Sequence, residues 1–244
     1  MSVKNVLATA VRVLAQLRHD RRTLALVLVV PPALLTLLRY VFDASPETFA
    51  RIGPPLVGLF PLIVMFLITS IAMLRERTTG TLERLMSMPL AKLDLLLGYG
   101  LAFALLAAVQ AAVTSTVAFW WLDLHTSGSV LAVAALAIAN AVLGMALGLF
   151  LSAFASTEFQ AVQFMPAVLF PQVLLSGLLA PREQMPHVLR IASDVLPVTY
   201  AYDALARVTS GLSGGRLWLD VGVTLGAILL ALMLGAATLR RRTP

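Results

Sequence analysis

The densest run of charge in the sequence is Arg75-Glu76-Arg77-Thr78-Thr79-Gly80-Thr81-Leu82-Glu83-Arg84-Leu85-Met86-Ser87-Met88-Pro89, and its chemistry is recognition rather than catalysis. Glu76, Arg77, Glu83 and Arg84 can form ion pairs with a facing surface. Gly80 supplies backbone freedom between them, and Leu82 and Leu85 can seat in a hydrophobic cleft. By charge alone the run reads better as a loop that fixes topology. The reagents of other chemistries are missing. His19, His125 and His187 are scattered, and none is followed by a ligand three or four residues on, so no metal centre is expected. Cysteine is absent, which excludes disulfides, thiolate metal sites and a cysteine nucleophile. Gly211 to Gly215 lacks the Lys-Ser/Thr that completes a phosphate-binding loop. Neither a His-Glu-x-x-His motif nor a Gly-x-Ser-x-Gly elbow occurs. The chain is therefore expected to hold no cofactor and to be no enzyme by itself.

The elements that position this run are membrane helices. Of 244 residues, 59% are hydrophobic and only 12% charged, with a mean hydropathy of +0.91. A soluble domain carries about 25% charged residues. The apolar residues fall in long blocks, and about 20 of them cross a bilayer core of about 30 Å. The reading is an all-α polytopic membrane protein with six spans, at residues 23–42, 52–74, 95–122, 130–154, 159–179 and 217–239, in a single transmembrane domain. Prolines interrupt several spans: Pro31 and Pro32, Pro54, Pro55 and Pro61, then Pro166 and Pro171. Residues 1–22 place Val3, Val6, Leu7, Ala10, Leu14 and Leu17 on one helical face. That pattern suits an interfacial helix, or else an inward extension of the first span. Residues 75–90 form a short surface helix, and residues 180–215, too charged to span, form short helices between spans five and six.

Basic residues set the orientation. With the N terminus inside, the inner segments hold 12 of the 18 Lys and Arg, and the outer segments hold Arg39, Arg51, Arg182, Arg190, Arg207 and Arg216. Both termini are then cytoplasmic. The net charge of +6 reflects helix ends rather than a nucleic-acid site. An ion-coupled pump buries carboxylates or histidines near the midplane. The interiors of the expected spans are read as holding none, and their polar groups as Thr69, Ser70, Gln110, Asn140 and Gln163. These are read as interhelical packing groups. Gly144-x-x-x-Gly148 and Gly222-x-x-x-Gly226 allow close helix approach, either within the chain or between copies.

The run from Glu76 to Leu85, followed by Pro89, resembles the inner motif of the type-2 ABC transporter permeases. A second match lies at Leu175-Ser176-Gly177, Pro181, Met185-Pro186, Leu189, Leu196-Pro197, Thr199-Tyr200 and Asp203-Ala204-Leu205. The resemblance covers nearly the whole chain and is closest to drug-efflux permeases of the daunorubicin-resistance type. It implies that Glu76, Arg77, Gly80, Thr81, Leu82, Glu83 and Arg84 contact an ATP-binding cassette ATPase subunit, where ATP and Mg would bind. It implies an outer gate region at Ser176, Gly177, Pro181, Pro186, Pro197, Tyr200 and Asp203. It further implies a second permease copy or paralogue, a bacterial inner-membrane location, and outward movement of a hydrophobic or amphipathic compound. Aromatic residues are only 7%, which disfavours the aromatic channel lining of polysaccharide-handling members. Three rivals remain. A secondary multidrug transporter needs buried ionisable groups. A lipid-metabolising enzyme needs clustered polar residues, whereas Asp194 and Asp203 look isolated. A non-transporting membrane subunit could use the same ATPase coupling.

Overall fold

The computed structural model describes residues 2–81 and 92–238, and among these it is all-helical, with no strand. Helix α1 is Val3–His19, α2 is Arg21–Val41 and α3 is Pro46–Thr78. Helix α4 (Lys92–Thr116) runs on through a π turn, Val117–Trp121. Helix α5 is Val130–Leu151, α6 is Glu158–Phe164 and α7 is Phe170–Leu175, the last two joined by a π turn at Met165–Leu169. Then follow α8 (His187–Val195), α9 (Pro197–Thr209) and α10 (Gly215–Ala237).

Among the described residues, five helices are long and apolar enough to cross a membrane: Arg21–Val41, Pro46–Thr78, Leu93–Trp121, Val130–Phe154 and Gly215–Ala237. The expected span at residues 159–179 is met by an unbroken helical run over residues 158–175, in which the α-helical turns give way to one π turn at Met165–Leu169. Pro166 and Pro171 lack the N–H that would continue the α-helical ladder, and the helix widens into a π turn that contains Pro166 and ends just before Pro171. The helix expected separately at residues 75–90 begins as the last turn of α3. Nothing breaks the helix before Gly80, whose φ of +73° ends it.

Helix α3 is the central element, 33 residues and about 50 Å long. It lies against α5 so closely that side chains are excluded. A Cβ on Gly144 would stand 2.0 Å from the Leu62 carbonyl oxygen, and one on Gly148 would stand 2.4 Å from that of Phe66. The first glycine pair is thus used inside the chain. Gly222 and Gly226 meet nothing within 4 Å. Uncharged polar groups tie the other helices on. The Thr69 hydroxyl donates to the Met65 carbonyl at 2.7 Å and reaches that of Met145 on α5 at 3.2 Å. Asn140 donates to the Ala201 carbonyl on α9 at 3.2 Å. Gln110 on α4 donates to the Val27 carbonyl on α2 at 2.9 Å. That carbonyl is available because its helical partner four residues on is Pro31, which has no N–H. Helix α1 packs Ala10 and Val13 inward and leaves Val3, Leu7 and Val11 exposed.

Candidate functional site

Two groups of charged side chains occupy opposite ends of α3. The first gathers around its C-terminal turn. The Arg75 guanidinium forks onto Glu158 at the start of α6, with Nε to Oε1 at 2.6 Å and Nη2 to Oε2 at 3.0 Å. This bond holds the Glu158 carboxyl below the usual glutamate range. Glu76 turns inward, and its Oε1 stands 3.7 Å from Arg12 Nη1 of α1. Arg12 also donates to the Tyr99 hydroxyl of α4 and lies over the Tyr99 ring, 5.5 Å from its centroid. Arg77 is half-buried and reaches the Thr238 hydroxyl beyond α10 at 3.5 Å. Thr79 and Thr81 pair through their hydroxyls at 3.0 Å across Gly80.

Of the seven residues predicted to contact a partner, Glu76, Arg77, Gly80 and Thr81 therefore lie together at this end. Leu82, Glu83 and Arg84 fall outside the described residues. Arg12 and Tyr99 were not foreseen as members of the cluster, because only the tertiary fold brings α1 and α4 to α3. A cavity of about 510 Å³ opens beside it, lined by Leu17, Ile68 and Phe103 and rimmed by Asp20, Arg75 and Glu76. Asp20 caps α2, accepting from the Thr23 N–H at 3.1 Å and the Thr23 hydroxyl at 2.6 Å, and these bonds hold its carboxyl below the usual aspartate range. Nearby, Asp94 in the first turn of α4 accepts the Ser2 N–H at 3.1 Å, pinning the start of α1.

The second group lies at the other end, in the segment between α7 and α10. Gly177, with φ +102°, makes the turn after α7, and Ser176 bonds back to the Val173 carbonyl at 2.8 Å. Pro181 precedes a single 3-10 turn, Arg182–Gln184; Pro186 precedes α8; and Pro197 opens α9, where its missing N–H costs nothing. Arg182 bridges Asp194 and Asp203, the latter at 2.8 Å. The Tyr200 hydroxyl donates to the Asp194 carbonyl at 2.6 Å. Burial pushes the Asp203 carboxyl above the usual range against the pull of Arg182, and the charge of Asp220 adds to the push. Asp194 and Asp203, isolated in sequence, are thus joined by one guanidinium. Gly177, Pro181, Tyr200 and Asp203 lie at this hub, whereas Ser176 bonds locally within its own turn and Pro186 and Pro197 act as helix starts.

The expectation of no carboxylate inside a span fails at Asp220, four residues into the expected sixth span, which is buried and accepts from Arg207 Nε at 2.8 Å. It stands near the helix start rather than at mid-length, and it has an adjacent cation. Among the described residues no three His, Asp or Glu side chains come together as a metal site requires.

Residues 4–209 match the family model described as ABC-2 type transporter. The chain is 26% identical over 194 residues to ABC transporter G family member 20 of Dictyostelium discoideum, covering 78% of this chain and 27% of that protein. It is 27% identical over 158 residues to the probable multidrug ABC transporter permease YbhR of Escherichia coli K12, covering 64% of this chain and 42% of the relative. For the probable multidrug ABC transporter permease YbhS of the same organism the identity is 25% over 168 residues, covering 68% and 45%. The chain spans less than half the length of each of these relatives.

Proposed function

This chain belongs to the ABC-2 type transporter family, and from that premise we propose that it is the permease subunit of an ATP-binding cassette exporter. In this reading it moves a hydrophobic or amphipathic compound outward. ATP and Mg are bound by separate ATPase subunits, and a second copy or paralogue of this chain completes the path. The chain sits in a bacterial inner membrane with both termini in the cytoplasm, which puts the Arg75 end inside and the Arg182 end outside. The likeness to Escherichia coli proteins named as probable multidrug permeases supports a drug-like substrate.

The observation that carries the proposal is the wiring of the Arg75 end. In a chain that avoids charge, four residues of the inner motif stand beside contacts to three other helical segments. Arg12 belongs to α1, Glu158 begins α6, and Thr238 follows α10. A push delivered at Gly80 and Thr81 is therefore passed to elements far apart in sequence, as a coupling segment requires. The adjacent cavity has apolar walls and a charged rim, which suits an amphipathic compound entering from the cytoplasm or inner leaflet.

Co-purification in mild detergent with the ATPase encoded beside this chain tests the reading, comparing wild type with Glu83→Arg. Recovery of the ATPase with wild type, and its loss or uncoupling in the variant, is the expected result. Absence of any ATPase from a wild-type chain that remains folded overturns the exporter assignment.

A further inference from the structure

Six arginines are assigned by sequence to the outer side, the side that the positive-inside rule depletes. Five of them, Arg51, Arg182, Arg190, Arg207 and Arg216, line a single cavity of about 580 Å³. The sixth, Arg39, pairs with Asp43 four residues on. The cavity arginines come from α3, the 3-10 turn, α8, α9 and α10, so no local helical spacing accounts for their meeting. Only Glu183 and Asp203 supply carboxylates to the lining. Arg182 is held by Asp194 and Asp203, and Arg207 by Asp220. Arg51, Arg190 and Arg216 make no ion pair among the described residues, although they border the same space.

We propose that this cavity binds the phosphate-bearing headgroup of an anionic amphiphile held in the adjoining lipid leaflet. Guanidinium forks match the oxygens of a phosphate, and three from separate elements can close on one from different sides. The margin of the cavity identifies the source of the phosphate. Ile52, Leu178 and Leu179 share the lining. Helix α8, which supplies Arg190, exposes Val188, Ile191 and Val195 on one face. Trp218, two residues from Arg216, is 73% exposed. An amphipathic helix and an exposed indole beside arginines are what a chain places at the headgroup layer. A free anion needs the charges and has no use for the apolar margin.

The test uses the full chain in nanodiscs of phosphatidylcholine doped with phosphatidylglycerol, with retained lipids counted by native mass spectrometry. Wild type is expected to retain phosphatidylglycerol preferentially. The combined variant Arg51→Gln, Arg190→Gln, Arg216→Gln is expected to lose that preference about tenfold, as removal of charge-assisted phosphate bonds implies. Arg39→Gln, outside the cavity, should leave it intact. Equal retention by the combined variant and wild type overturns the proposal, as does an equal loss in Arg39→Gln. A second measurement needs no variant. In wild type the preference should weaken in about 0.5 M salt, because exposed charges are screened over a few ångströms there; indifference to salt refutes the site. If millimolar inorganic phosphate displaces phosphatidylglycerol completely, the site takes free anions and the lipid assignment falls.

Discussion

The same substitution at two glycine pairs should have opposite signs. At Gly144 a Cβ would lie 2.0 Å from the Leu62 carbonyl oxygen, 2.7 Å from its carbon and 2.9 Å from its Cα. All three atoms are backbone of α3, so no rotamer change relieves the clash, and the helices must part by about 1.2 Å or more to restore van der Waals contact. A gap of 0.5–1 Å already forfeits a quarter to a half of each dispersion contact along such a seam. Overpacking of this kind costs about 1–3 kcal/mol, and a backbone obstacle belongs at the upper end. Alanine's better helix propensity returns about 1 kcal/mol, so Gly144→Ala should destabilise by about 2 kcal/mol. Gly222→Ala meets nothing within 4 Å and should keep only the propensity gain of about 1 kcal/mol. The contrast between the two variants is then about 3 kcal/mol, read as denaturant midpoints at a fixed detergent-to-protein ratio. Equal midpoints would falsify the close α3–α5 seam. A loss at Gly222 confined to oligomeric fractions would instead mark that pair as a contact between copies.

The remaining predictions concern single polar contacts. Gln110→Leu leaves the Val27 carbonyl buried without a donor, and should cost about 1–3 kcal/mol in the same unfolding assay. Arg207→Met strands the buried Asp220 carboxylate, and should cost about 3–5 kcal/mol. Arg39→Met, whose partner Asp43 is exposed, should stay within about 1 kcal/mol. Glu158 and Asp20 both have lowered folded pKa values, so each contributes stability above the ordinary carboxylate range and loses it as pH falls through the depressed value. Acid lability should therefore set in below about pH 4, and Glu158→Gln should remove part of it, since the half-exposed Arg75 pair is worth only about 0.2–1 kcal/mol.

Helix class and the membrane character of the chain were legible in the sequence, because long apolar blocks admit few other solutions in lipid. The segments that carried mixed signals resolved differently. Residues 75–78 read as the start of a surface helix on charge grounds, yet backbone geometry continues α3 until Gly80. At Pro166 and Pro171 an interruption was foreseeable, whereas the π turn that absorbs it depends on packing. The two glycine pairs were indistinguishable by motif. Their different surroundings come from which face of α5 and of α10 is turned inward, and local spacing holds no record of that. The Arg182 hub was hidden for a related reason. Asp194 and Asp203 are nine positions apart, and a single guanidinium from an earlier turn makes them neighbours. The surplus of outer arginines was countable from the start, but their convergence on one cavity required the fold.

The distribution of polar groups constrains how the molecule can move. Ion pairs stand at the two ends of α3, while its middle is fixed by uncharged bonds and by backbone contact with α5. Sliding α3 along α5 would drive the Leu62 and Phe66 carbonyls into the small-residue seam, so these two helices displace together. Helix α3 reaches both clusters: Arg51 and Ile52 line the cavity at one end, and Arg75 to Thr78 form its last turn at the other. Under the exporter reading, a push at Gly80 and Thr81 would arrive at the far cavity as movement of the α3–α5 pair against its neighbours. In that reading the contacts expected to yield are the weakest ones beside the push, the half-exposed Arg75–Glu158 pair and the 3.5 Å bond from Arg77 to Thr238. Under the exporter reading, Glu158→Gln should therefore reduce the dependence of transport on ATPase turnover by more than its small stability cost explains. Transport that stays fully coupled in a stable Glu158→Gln protein would show that the displacement travels by another route.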